Sequence, residues 1–145
     1  MFKHILLPTD GSKLSDKSVR QGIRMAKALN ARVTALHVTP KFRTFRNQID
    51  AIETNGGDYA DAGIRHAEEF LHYVRRVAAG ASVECETLHV AGDHPYKEII
   101  KTAQKKNCDL ILMASHGRRG IEGFLLGSET QKVLTHSKTP VLVYR

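Results

Sequence analysis

The sequence predicts an α/β fold: one domain with a parallel sheet between helices. Short apolar runs alternate with longer segments whose apolar residues recur at helical spacing, the pattern of repeated strand–helix units. Leu110 to Ala114 is apolar without a break, which suits a strand buried on both faces. The 145 residues carry no internal repeat or linker and are too few for two domains.

His4 to Leu7 is the first strand, stopped by Pro8. Val19, Ile23, Ala26 and Leu29, with Gly22 on the same face, make the first helix, and Asn30 ends it. Arg32 to Val38 is the second strand, stopped by Pro40. Phe42 to Tyr59 shows no clear period, and Asn55-Gly56-Gly57-Asp58 reads as a turn. Ile64, Ala67, Leu71, Val74 and Ala78 share one face of a second helix that Gly80 closes, and Ser82 to Val90 follows as the third strand. Asp93-His94-Pro95 opens the third helix, with proline tolerated in the first turn and Ile99, Ile100 and Ala103 on the apolar face. Leu110 to Ala114 is the fourth strand, about Ser128 to Ser137 the fourth helix, and Val141 to Tyr144 the fifth strand. Right-handed crossovers place the helices on both faces of the sheet.

Composition narrows the function classes. Hydrophobic content of 41% and charged content of 26% are those of an ordinary globular protein. No apolar run approaches the ~20 residues of a membrane span, and Met1-Phe2-Lys3-His4 runs into a strand without a signal-peptide core, so a cytoplasmic location is expected. Cys85 and Cys108 make neither a disulfide framework nor a metal spacing. The formal charge of +7 raises nucleic acid as a ligand, and Lys41-Phe42-Arg43-Thr44-Phe45-Arg46 pairs two aromatics with three cations. No nucleic-acid-binding pattern surrounds that stretch, so nucleic acid is not the expected partner.

The chemistry concentrates between Ile111 and Ser128. The fourth strand breaks into a glycine-punctuated basic loop that ends in Gly127-Ser128 at a helix start. Ser128-Glu129-Thr130-Gln131 fits a capping box with Ser128 as N-cap. A helix start offers unpaired N–H groups to an anion, glycines let the backbone come close, and Arg118 and Arg119 add charge, so the segment reads as a phosphate cradle. It is not a P-loop, because no lysine follows Gly127, and the first strand ends in Pro8-Thr9-Asp10-Gly11-Ser12 instead of a dinucleotide fingerprint.

Gly117, nine further residues and Gly127-Ser128, followed by Pro140-Val141-Leu142-Val143-Tyr144, resembles the universal stress protein family. The match is to its ATP-binding branch, whose signature is Gly-x-x-Gly-x9-Gly-Ser/Thr. Lys3 to Ser12 is similar to that family's first strand and loop, so the resemblance covers essentially the whole chain. Ala114 stands where the signature begins with glycine, and alanine fits there if the position has ordinary β geometry.

The resemblance implies a Rossmann-like five-stranded sheet of order 3-2-1-4-5, with the ends of strands one and four facing one crevice. It further implies that Asp10 contacts the nucleoside, with Pro8 and Thr9 as the wall beside it, Val38 at the adenine, and Met113 and Ala114 completing an apolar slot. Without it, Asp10 reads equally as an Asx-turn or helix-capping residue, and Val38 and Met113 as core. Gly117, Gly127, Ser128 and the Glu129 N–H are the phosphate candidates, with Arg118 and Arg119 as added charge. No catalytic residue or protein metal ligand is assigned. His116 sits beside the glycine but belongs to no nucleophile–base arrangement, and His89, His94 and His136 have no metal spacing.

The expected activity is that of an ATP-binding stress-response regulator. ATP, with ADP or AMP as alternative occupants and Mg²⁺ as companion, orders the loop for a regulatory protein partner to read. Family resemblance implies a homodimer through the last strand. The alternatives are a slow ATPase or phosphotransferase on the same fold, and, more weakly, a nucleic-acid-associated protein.

Overall fold

The computed structural model describes residues 1–41, 56–117 and 126–145, with residues 56–60 described by backbone alone. Five parallel strands, β1 (His4–Pro8), β2 (Arg32–Thr39), β3 (Cys85–Ala91), β4 (Leu110–Ala114) and β5 (Val141–Tyr144), form one sheet of order β3-β2-β1-β4-β5. Helices α1 (Lys13–Leu29), α2 (Gly56–Gly80), α3 (Pro95–Lys105) and α4 (Ser128–His136) cover it. Both the fold class and the strand order are those expected.

Strand residues alternate between two cores. Ile5, Leu7, Val33, Ala35, Leu110 and Leu112 meet Val19, Ile23 and Ala26 of α1 and Leu71, Val74 and Ala78 of α2. Leu6, Leu36, Ile111 and Met113 meet Ile99 and Ala103 of α3 and Val133 of α4. Each fully buried Leu, Ile or Val contributes about 1.5–3 kcal/mol, so the helices are held by their apolar faces rather than by propensity. Gly22 earns its place on the α1 face because a Cβ there would run into the Leu7 side chain. The ends of α1 are equally specific. Ser12 Oγ accepts from Ser15 N at 3.2 Å, and Asn30 closes the helix in the left-handed region at φ 51.

Two boundaries and one helix face differ from expectation. Gly56 to Asp58 are helical rather than a turn, because extending an established helix by one residue costs less than starting one, even with glycine. Ile64 is 46% exposed, and Gly63 instead faces the sheet, with the Thr39 methyl 3.9 Å from where its Cβ would lie. Strand β3 starts at Cys85 because Ser82 occupies a left-handed turn, φ 56, immediately after α2.

Candidate functional site

The central ladder between β1 and β4 runs only through Ile5–Leu110 and Leu6–Ile111. Beyond it the two strands are tied outward. Pro8 lies opposite Leu36, and Thr9 N donates to Leu36 O at 2.8 Å; Ala114 lies opposite Tyr144, and Ser115 N donates to Tyr144 O at 2.7 Å. Their carboxyl ends therefore part where the strand order reverses, the usual ligand crevice of such sheets.

One wall is the Thr9–Ser12 turn, held mostly by side chains. Ser15 Oγ of α1 donates to Thr9 Oγ1 at 2.9 Å and accepts from Asp10 N at 3.3 Å. Thr9 Oγ1 also accepts from Gly11 N at 3.2 Å, and Asp10 Oδ1 accepts from Ser12 N at 3.0 Å. The Asx turn that Asp10 could form is thus present, and it employs one carboxylate oxygen. The other, Oδ2, occupies the place a Cβ on Gly117 would need. Two segments more than a hundred residues apart, read separately as nucleoside and phosphate signals, therefore touch.

The second wall is Ala114 to Gly117 with the start of α4. Gly127 N donates to Ser115 O at 2.8 Å, and the Thr130 hydroxyl to Ala114 O at 3.1 Å. Ala114 is an ordinary strand residue without positive φ, so its methyl is accommodated. Ser128 is not the N-cap: Gly127 is, with no side-chain cap bond, and the expected capping box does not form. Glycine leads because the backbone of His116 lies 3.1 Å from where a Gly127 Cβ would stand. Its φ of −60 is open to any residue, so what opposes a side chain there is this approach, which the His116 backbone would have to relieve by a few tenths of an ångström. The N–H groups of Ser128, Glu129 and Thr130, in the first turn of α4, have no intrahelical acceptor by helix geometry.

The Glu129 side chain has a role the sequence did not suggest. Its Oε2 accepts from Tyr96 N at 2.8 Å, capping α3 from α4, while Oε1 pairs with Lys132 at 3.1 Å. His94, the N-cap residue of α3, makes no side-chain cap bond, so the carboxylate supplies what is missing locally. Val38 and Met113 lie on the α3/α4 side of the sheet, Val38 half-buried and Met113 7% exposed. Arg118 and Arg119 lie outside the described residues, as does most of the Lys41–Arg46 stretch.

At the parted ends of β1 and β4 the Asp10 carboxylate stands against Gly117, beside a first turn of α4 whose N–H groups have no intrahelical acceptor. Among the described residues no three His, Cys, Asp or Glu side chains converge into a metal cage. Burial pushes the Cys85 and Cys108 thiols up to about 11, so both are protonated at neutral pH and neither is a ready nucleophile. Among the described residues no helix is long and apolar enough to cross a membrane.

Comparison with known proteins agrees with this construction. The chain is 30% identical to universal stress protein MJ0531 of Methanocaldococcus jannaschii, over all of this chain and 83% of that one. The solved structure of MJ0577 from the same organism superposes with a TM-score of 0.78 at 26% identity, covering 99% of this chain and 95% of the other. A universal stress protein solved in complex with cAMP shares the fold at TM-score 0.74 and 24% identity, covering 99% and 97%. One from Archaeoglobus fulgidus solved with dAMP does so at 0.69 and 17%, covering 100% and 98%. The Universal stress protein family profile matches residues 1–145, end to end. With the sheet order, the glycine spacing and the parted β1 and β4 ends all in place, the chain belongs to the universal stress protein family.

Proposed function

We propose that this protein binds an adenine nucleotide in the β1/β4 crevice and acts in stress responses as a nucleotide-dependent switch. The observation that carries the reading is the approach of Asp10 to Gly117 beside the first turn of α4, whose N–H groups have no intrahelical acceptor. Asp10 takes the nucleoside, walled by Pro8 and Thr9, while Val38, Met113 and Ala114 form the apolar slot. Gly117, Gly127, Ser128 and the Glu129 N–H hold the phosphates, and Arg118 and Arg119 add charge. Relatives solved with cAMP and dAMP support the adenine class. ATP with Mg²⁺ is the proposed occupant, and a regulatory protein reads the occupied form. The working form is a cytoplasmic homodimer paired through β5.

Binding dominates over turnover. Fast phosphoryl transfer needs a positioned nucleophile and a group to orient it. His116 Nδ1 lies 3.2 Å from Ser115 Oγ, Asp10 is engaged by the Ser12 amide and assigned to the nucleoside, and the α4 N–H groups stabilise the ground state. Two measurements test the proposal. Acid extraction of the purified protein releases ATP, and labelled ATP with Mg²⁺ is hydrolysed far below the roughly 1 s⁻¹ of slow ordinary enzymes. No adenine nucleotide in the extract and no binding by calorimetry would end the reading. Turnover near one per second, lost in His116→Ala with binding retained, would make the protein an ATPase.

A further inference from the structure

We propose that His37, a residue of β2 outside the crevice, is the positioning residue that orients the Thr9–Asp10 peptide for nucleotide. The inference rests on the nucleotide reading above. Strand β1 ends at Pro8, so the ladder offers no main-chain donor to the carbonyl of Thr9, a residue only 6% exposed. His37, itself 8% exposed, places Nδ1 2.7 Å from that oxygen. A carbonyl only accepts, so Nδ1 carries the proton and the tautomer is set. The two ends of Thr9 are thus gripped by consecutive residues of one strand, its N–H by Leu36 O and its carbonyl by the His37 ring.

The ring is oriented in turn. Phe70 of α2 packs edge-on against it, centroids 5.1 Å apart and planes at 69°. The same Phe70 ring occupies the space where a Cβ on Gly11 would fall, and Gly11 has φ 72, so phenylalanine, histidine and the turn form one packed unit. The Thr9 carbonyl belongs to the peptide that begins Asp10. Rotation of that peptide would carry the Asp10 carboxylate away from Gly117 and undo the Gly11 and Ser12 amide bonds. His37 acts through Thr9 and does not touch the ligand.

Two readouts test this in the full chain. The first is affinity for ATP with Mg²⁺ by calorimetry; the second is hydrogen exchange at the Gly11 and Ser12 amides in the nucleotide-free protein. His37→Leu weakens binding about tenfold and speeds both amides, whereas His37→Asn, whose amide sits where Nδ1 was, restores most of both. His37→Gln, which mimics the other ring nitrogen, does not restore them, and the Asn–Gln contrast decides the matter if the leucine variant fails to fold. Wild-type exchange at both amides in His37→Leu, or equal behaviour of Asn and Gln, overturns the proposal. If the wild type binds no nucleotide, the functional reading fails, and the exchange data alone still confirm or refute the positioning role.

Discussion

Gly117→Ala separates ligand binding from stability, and the structure sets both magnitudes. The added Cβ lands on Asp10 Oδ2, the far end of a rotatable side chain, so the carboxylate swings aside and the backbone stays. What folding loses is the Asp10 Oδ1 bond to Ser12 N, 3.0 Å long and part-buried, about 1 kcal/mol. For a domain of this size that lowers Tm by about 2–4 °C. What binding loses is a charged hydrogen-bonding group at the nucleoside, about 1.5–3 kcal/mol, or roughly 10- to 100-fold in Kd. Calorimetric titration with ATP and Mg²⁺, beside a thermal melt, measures the two separately. A double-mutant cycle sharpens the test: in an Asp10→Ala background the alanine at 117 has nothing left to displace and changes affinity little further. Wild-type affinity in Gly117→Ala, or additive losses across the cycle, would refute the argument that these two residues form one site.

Three further outcomes follow from named contacts. Gly127→Val meets the His116 backbone, which cannot swing away as a carboxylate can, so it abolishes ATP binding and destabilises by about 1–3 kcal/mol, read by titration and urea unfolding; wild-type affinity would remove the phosphate-cradle assignment. Burial, helped by the Arg32 charge and opposed by Asp109 and Glu86, holds the His4 imidazole below its ordinary value of about 6.5. The unfolded chain then binds the proton first, so stability is lost as pH falls below about 6.5, and His4→Gln removes that part of the slope in urea titrations at pH 5 and 7.5. Light scattering gives about twice the 16.2 kDa chain mass if β5, whose Leu142 is 37% exposed, pairs with its twin; a monomer at micromolar concentration excludes the dimer.

The fold was legible because β4 and the faces of α1 and α3 carry their periods without interruption, and punctuation at Pro8, Asn30 and Pro95 falls where the elements change. The candidate site was legible as two loops, and the family resemblance joined them. Its internal fastening was not. Ser15 reads as one more helical serine, Glu129 as a first-turn acid and His37 as a strand histidine. Each finds its partner, Thr9, Tyr96 N or Thr9 O, through the packing of a different element. Local spacing marked Gly127 as a point of close approach, but not that the His116 backbone is what comes near it. Ile64 extends the apolar stripe in sequence, but at its level of the helix Gly63 is the residue that faces β2.

The pairing of β1 with β4 has a kinetic consequence. Asp109, at the foot of β4, accepts main-chain bonds from Lys3 N at 2.7 Å and His4 N at 3.0 Å, contacts that close a span of more than a hundred residues. Local helices and the β1–β2 unit can assemble early, but this central seam must wait for most of the chain, and such long-range closures slow folding. The crevice exists only where that seam ends. A chain still on the ribosome, or one opened along the seam, therefore has no place for a nucleotide, and ligand cannot template the early steps. On the proposed function, bound nucleotide would mark the chains that have finished folding and stabilise them by mass action.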